Sequence, residues 1–384
     1  MKTLEILEKL IAFDTVSHRT NLGLLDYVQD LLQQAGANVT RIENADGSKA
    51  NLFATIGPQD RPGVLLSGHT DVVPVEGQNW TVPPFALTRK DRRVYGRGTA
   101  DMKGFLASAL STTLKASRKP LKTPLHLALS YDEEIGCIGV RSLIDMLRDA
   151  PFRPLFCIIG EPTGMAVATG HKGKMALHAD CIGKEAHSAL APTGLNAIHL
   201  AADFINALRH IQAGIIEKSV TDADYDVPYT TVHVGKINGG LVVNIVPNLC
   251  TLDFEIRNIA QDDPEIILGQ MQTAADSIVK AANTPEAAIN ISTAFTYPGL
   301  NTPTNANVVS FVKSLTGANG TIKVAFGTEG GLFDADLDIP TVVCGPGSMA
   351  QGHKPDEFVS LDQLGKCDAA LGTLVDRLVA GIAI

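Results

Sequence analysis

The spacing of apolar residues changes several times along the chain, and each change marks an element. In TLEILEKLIAF the apolar positions recur at helical spacing, and they do so again from Asn21 to Ala35, where Gly36 closes the run. Amphipathic helices are therefore predicted over Thr3–Phe13 and Asn21–Ala35. Short apolar runs at Ala37–Ile42, Asn51–Ile56, Val64–Leu66, Leu125–Ser130 and Leu155–Ile159 read as strands. The last three have almost no polar break, which suits strands buried on both faces. Between them Phe105–Lys119 is rich in Ala and Leu with no Gly or Pro, the texture of a buried helix. Strands alternating with helical segments predict an α/β layered domain that binds ligands beyond the carboxyl ends of its strands.

The texture changes at HKGK (His171–Lys174). From Lys174 to about Thr296 the pattern reads strand, helix, strand, strand, helix, strand, the split-βαβ order of a compact α+β domain. An inserted domain over residues 174–296 is expected, dividing the first domain into residues 1–173 and 297–384. After Pro298 come a helix near Ala306–Leu315, a glycine-rich FGTEGGLF loop and a buried strand in PTVVCGPG. The loop MAQGHKPDEF then carries His353, and a helix over Leu361–Leu378 closes the chain. A length of 384 residues suits two domains.

Composition narrows the partners. The formal net charge of -9, with no basic stripe, argues against nucleic acid or an anionic membrane surface. There is no stretch of about 18 apolar residues free of charge, so no membrane-spanning helix is expected. The first residues interleave Glu and Lys and lack the apolar core of a secretory signal. The six cysteines are scattered singly, as reduced core thiols of a cytoplasmic protein would be.

Candidate chemistry gathers at the strand ends. The run after Val64 ends in SGHTDVVP and releases His69 and Asp71 into a loop. Residues i and i+2 of an extended segment point the same way, so Asp71 is placed to take one ring N–H of His69 and free the other nitrogen for a metal. A strand-end turn braced by polar side chains fits the same HxD. GRGTADMKG delivers Asp101 on a glycine-rich loop before a helix, as a ligand or as an N-cap. Leu125–Ser130 ends in YDEEIG with Glu133 and Glu134, and LFCII ends in GEPT with Glu161. With His353, the residues His69, Asp101, Glu134 and Glu161 offer two imidazoles and three carboxylates. No thiolate is among them, and the set suits a pair of zinc, cobalt or manganese ions. Two divalent cations against three carboxylates leave one positive charge, which a shared hydroxide neutralises. Glu133 is then a candidate general base and acid, or an outer carboxylate with no proton role.

In this order SGHTDVVP, GRGTADMKG, DEEIG, IGEPT, GKEAHS and GPGSMAQGHKPDE resemble a family of co-catalytic metallohydrolases, over nearly the whole chain. That family includes N-acyl amino acid deacylases, aminoacylase, succinyl-diaminopimelate desuccinylase and carboxypeptidase-G-type enzymes. The resemblance implies a zinc-peptidase-like α/β/α catalytic domain with an inserted ferredoxin-like α+β lid and dimerisation domain. It implies two divalent ions, one held by His69, Asp101 and Glu161 and the other by His353, Asp101 and Glu134. Asp101 would bridge them and precede a cis bond to Met102, with Asp71 as the orienting group and Glu133 as acid and base. A homodimer through the inserted domain is implied as well, with His187 of the AHS motif stabilising an oxyanion and Asn244 and Arg257 holding a substrate carboxylate. Without the family, His187 reads as a surface or capping residue and Arg257 as a solvated arginine.

GEPT with HKG, VPYTTVHVGKINGG and GTEGGLF lean toward the branch that deacetylates an ornithine-like N-acetyl amino acid. There Glu329 would face the cationic amine of this small-molecule substrate, unless it caps a helix. Competing readings are the same machinery acting on another N-acyl amino acid or dipeptide, and a non-catalytic metal-binding protein on the same fold. The last would be expected to lack Glu133 or a ligand, and the set is complete. No GxGxxG after a strand supports a dehydrogenase, and no GxSxG elbow supports a serine hydrolase.

Overall fold

The computed structural model describes residues 2–218 and 220–382. The chain forms two compact units, one running from the N-terminus to His171 and resuming at Leu300, the other spanning Lys172–Gly299.

The first unit is built on a nine-stranded mixed sheet. In its middle Leu125–Ser130, Val64–His69, Phe156–Pro162 and Thr341–Gly345 lie side by side and parallel. Antiparallel strands flank this block, with Ala50–Ile56 and Asn38–Glu43 on one side and Ala168–His171 and Leu300–Asn301 on the other. Every residue of Val64–His69 and Phe156–Pro162 is buried, because helices cover both faces. A side chain on Gly68 would strike Met102 and Leu106 at the start of the Lys103–Ala116 helix. Its neighbour Ser67 faces Glu329, which precedes the Gly330–Leu337 helix. Successive strand residues point to opposite faces, so these two helices lie on opposite sides of the sheet.

Thr3–Ile11 and Leu361–Ala380 pack against Lys103–Ala116, and Val140–Arg148 packs against Gly330–Leu337. The last helix begins inside the segment read from sequence as a glycine loop. A Cβ on Gly330 would stand 3.1 Å from Thr328 Oγ1, 3.3 Å from Thr341 and 3.4 Å from Ile159, a tight fit against the sheet, and buried Leu332 and Phe333 hold the helix down. Val140–Arg148 was also not predicted, although its buried Val140, Leu143, Ile144 and Leu147 keep helical spacing.

The second unit is a four-stranded antiparallel sheet in the order Thr231–Gly239, Leu249–Arg257, Lys174–Ile182, Ala288–Tyr297. That order, with two helices, is the ferredoxin-like arrangement. Lys174–Ile182 alternates strictly between buried and half-buried positions. Its inward Met175, Leu177, Ala179 and Cys181 pack with Phe204 and Leu208 of Ala197–Lys218 and Met271 and Ala275 of Pro264–Ala282.

Candidate metal centre

Parallel strands end together, and their last residues therefore meet. Val64–His69 runs in register with Leu125–Ser130, setting His69 opposite Ser130, while Glu161 belongs to the neighbouring strand Phe156–Pro162. Asp101 arrives on the loop after Gly98, whose φ of 86° favours glycine, and its bond to Met102 is cis. His353 sits on the loop after Thr341–Gly345 with a φ of 61°.

These side chains converge on Asp101. His69 Nε2 stands 3.1 Å from Asp101 Oδ1 and 3.4 Å from Glu161 Oε1. On the other side His353 Nε2 stands 3.2 Å from Asp101 Oδ2 and 3.0 Å from Glu134 Oε2. Two donors held about 2.1 Å from one tetrahedral ion lie about 3.4 Å apart, close to these separations. Donor atoms of His69, Asp101 and Glu134 lie within 4.8 Å of one another, as do those of His69, Glu133 and Glu161. Glu134 Oε1 and Asp101 Oδ2 are buried without a hydrogen bond, the latter despite its approach to His353. Buried lone pairs in this state fit a cation.

The electrostatics point the same way. Burial, followed by the charge of Asp101, pushes Glu161 up to about 8 and Glu134 up to about 7. Burial also raises Glu133 well above the usual carboxyl range. Burial would raise Asp101 too, but the neighbouring imidazoles of His353 and His69 outweigh it and hold that carboxyl low. The carboxylates of Asp101 and Glu134 beside it lift His353 to about 10. A pocket this rich in buried negative charge retains protons unless cations replace them.

Asp71 meets His69 chiefly through its backbone. His69 Nδ1 lies 2.9 Å from the backbone oxygen of Asp71 and 3.6 Å from its carboxylate. The carboxylate instead accepts from Ser17 Oγ at 2.7 Å and from the backbone N–H groups of Glu133 and Glu134 at 3.2 and 3.3 Å. It braces the loop that carries both glutamates, and three donors share its lone pairs. A carbonyl only accepts, so Nδ1 of His69 carries a proton toward Asp71, and Nε2 is the nitrogen that faces Asp101 and Glu161.

Glu329 makes no cap hydrogen bond. At 1% exposure it lies 3.5 Å from Ser67 Oγ, where burial pushes it up to about 7.

The other expected residues lie in the second unit. His187 is exposed and its Nδ1 accepts the Ala189 N–H at 3.1 Å, while the carbonyl of exposed Asn244 accepts the Ser188 N–H at 3.0 Å. Arg257 is half-buried, donating to Glu255 at 3.0 Å and to the Tyr297 hydroxyl at 3.4 Å, so it is neither solvated nor unpaired. Sequence reasoning passed over Arg97 and Glu357, a buried ion pair at 2.7 Å beside Asp101. Their signal was membership of GRGTADMKG and GHKPDE, in which Arg97 is the second residue and Glu357 the last.

An α/β unit with imidazoles and carboxylates gathered at its strand ends defines a protein of the metallohydrolase class. The chain belongs to Peptidase family M20/M25/M40, which residues 65–377 match. A protein named acetylornithine deacetylase from Myxococcus xanthus is 35% identical over 380 residues, covering 98% of this chain and 97% of the relative. The protein of that name from Shigella sonnei is 33% identical over 366 residues, covering 93% and 92%. Among solved structures, an M20 family metallo-carboxypeptidase from Sulfolobus solfataricus has a TM-score of 0.81 at 20% identity, covering 99% of this chain and all of that one, which is a likeness of fold.

Proposed function

We propose that the protein is a dinuclear metal-dependent amidohydrolase that removes the acetyl group of N2-acetyl-L-ornithine, giving L-ornithine and acetate for arginine biosynthesis. The observation that carries the reaction class is Asp101, whose two oxygens face two separate His–carboxylate groups. Support for the substrate is the 35% identity, over nearly the full length, to a relative bearing that name.

In this reading His69, Asp101 and Glu161 hold one ion and His353, Asp101 and Glu134 the other. Zinc fits the N/O donor set, and cobalt or manganese would bind to the same atoms. When bound, such ions polarise the scissile carbonyl and make water a stronger nucleophile. Glu133 accepts a proton from the attacking water as its oxygen bonds to the acetyl carbon. It then returns that proton to the ornithine nitrogen as the C–N bond breaks. The raised pKa of Glu133 suits a group that must hold a proton between these steps.

From the inserted unit, His187 is assigned to the oxyanion and Asn244 and Arg257 to the substrate carboxylate, in a cytoplasmic homodimer formed through that unit. The Nδ1 contact of His187 leaves Nε2–H as its donor. Among the described residues, no helix is long and apolar enough to cross a membrane.

The test is a substrate panel on zinc-loaded protein. Acetate release from N-acetylornithine should exceed release from unrelated N-acetyl amino acids by at least about tenfold in kcat/KM. A preference for succinyl-diaminopimelate, another N-acyl amino acid or a dipeptide would replace the substrate and leave the reaction class standing.

A further inference from the structure

We propose that Glu357 and Arg97 are positioning residues that lock the loop delivering Asp101 to the loop delivering His353, and so set the affinity of one of the two metal positions. This rests on the dinuclear reading above.

Both side chains are buried, each with about 1% exposure. Glu357 Oε1 accepts the backbone N–H groups of Ala100 at 2.9 Å and Asp101 at 3.1 Å. Its Oε2 accepts the Gly98 N–H at 3.1 Å and Arg97 Nη1 at 2.7 Å. One carboxylate from the His353 loop thus takes three consecutive-loop amides and a guanidinium from the Asp101 loop. The pairing is returned from the other side. Arg97 Nη1 reaches the Lys354 carbonyl at 3.4 Å, and Nη2 donates to Gln78 Oε1 at 2.6 Å. Gln78 in turn donates from Nε2 to the carbonyl of His353 at 3.0 Å, and Trp80 lies over the guanidinium at 5.0 Å.

The placement of the ligands makes the effect selective. His69 and Glu161 belong to central strands, where the sheet ladder holds the backbone. Glu134 is tied through its N–H to Asp71. Asp101 and His353 stand on loops, and His353 keeps a φ of 61°, a region a non-glycine residue holds only when its neighbours fix it. A buried carboxylate that accepts three backbone amides and one guanidinium nitrogen, the same guanidinium reaching Gln78, is suited to fixing two loops within a fraction of an ångström. Loss of the lock should therefore disturb the His353–Asp101–Glu134 group more than the His69–Asp101–Glu161 group.

The experiment is a metal titration of the full-length apoprotein with zinc in competition with a chelator, repeated with cobalt and followed by its visible absorption. Wild type, Glu357→Gln, Arg97→Lys, Gln78→Ala and, as reference, His353→Ala are compared, with Tm recorded for each. The amide of Glu357→Gln keeps the volume but turns one acceptor into a donor facing N–H groups. It should raise the dissociation constant of one ion by about tenfold or more, as supporting residues around a metal do, and change the other by less than about threefold. The weakened ion should be the one lost in His353→Ala. Gln78→Ala, at the half-buried edge of the network, should weaken the same ion by about threefold to tenfold, which keeps the test open if Glu357→Gln does not fold. Arg97→Lys should fall between them and wild type. Unchanged constants in Glu357→Gln and Gln78→Ala, or equal weakening of both ions in step with Tm, would overturn the lock. A wild-type protein that binds no pair of ions would instead sink the dinuclear reading itself.

Discussion

His69 shows how one backbone atom settles the chemistry of a side chain. Its Nδ1 proton goes to the carbonyl of Asp71, so Nε2 is the nitrogen turned toward Asp101 and Glu161. Glu133 has the opposite character, close to the cluster yet absent from its shortest contacts. Glu133→Ala should keep the wild-type metal content while turnover falls about 10²- to 10⁴-fold, measured by metal analysis and acetate release on the same preparation. Metal loss or unaltered turnover would remove it from the proton path.

His126 offers a separate test of burial. It stacks on Phe53, pairs with Thr55 at 2.9 Å, and burial pushes it down to about 4. An unfolded histidine titrates near 6.5, so between those values the unfolded chain binds more protons and the fold loses stability as pH falls. Relative to wild type, His126→Gln should flatten the decline between about pH 6.5 and pH 4 by roughly 2 kcal/mol in denaturant melts. Identical slopes would show that the ring is not held neutral.

At this scale the candidate ligands stood out because each ends an apolar run or sits among glycines. The pairings of Arg97 with Glu357 and of Ser17 with Asp71 did not, since they span 260 and 54 residues.

The elements explain why the ligands meet at all. Parallel strands deliver their carboxyl ends to one rim, and small residues let the layers close on it. A Cβ on Gly345 would stand 1.9 Å from the carbonyl oxygen of Gly160, and one on Gly160 would stand 1.9 Å from the Phe105 ring. Backbone cannot yield as a flexible side chain can, so Gly345→Ala should cost about 3 kcal/mol or more, read from the denaturant midpoint at constant m-value. A neutral substitution would mean that the strands Phe156–Pro162 and Thr341–Gly345 do not approach this closely. Hydrophobic period identified most long elements, including the central strands whose residues are all buried. It failed at Gly330–Leu337, where glycines that read as a flexible loop are packing residues of a helix. Local propensity points the wrong way there because the contacts that decide the outcome come from Ile159 and Thr341.

For the whole molecule, the change from buried, near-continuous apolar strands to alternating ones is what separates the two units in the sequence. The structure divides them at Lys172 and Gly299, within a few residues of the change in texture. The first unit alone contains all the residues proposed to bind metal, and the second carries His187, Asn244 and Arg257. Residue spacing alone could not pair Asp101 with both histidines, which only the family resemblance implied, because the pairing depends on two loops 252 residues apart being closed on each other by Gln78, Arg97 and Glu357. The most direct test is anomalous scattering at the zinc edge from a crystal of the zinc-loaded protein. Two peaks are predicted, one between His69, Asp101 and Glu161 and one between His353, Asp101 and Glu134. A single peak, or none within reach of Asp101, would contradict the account.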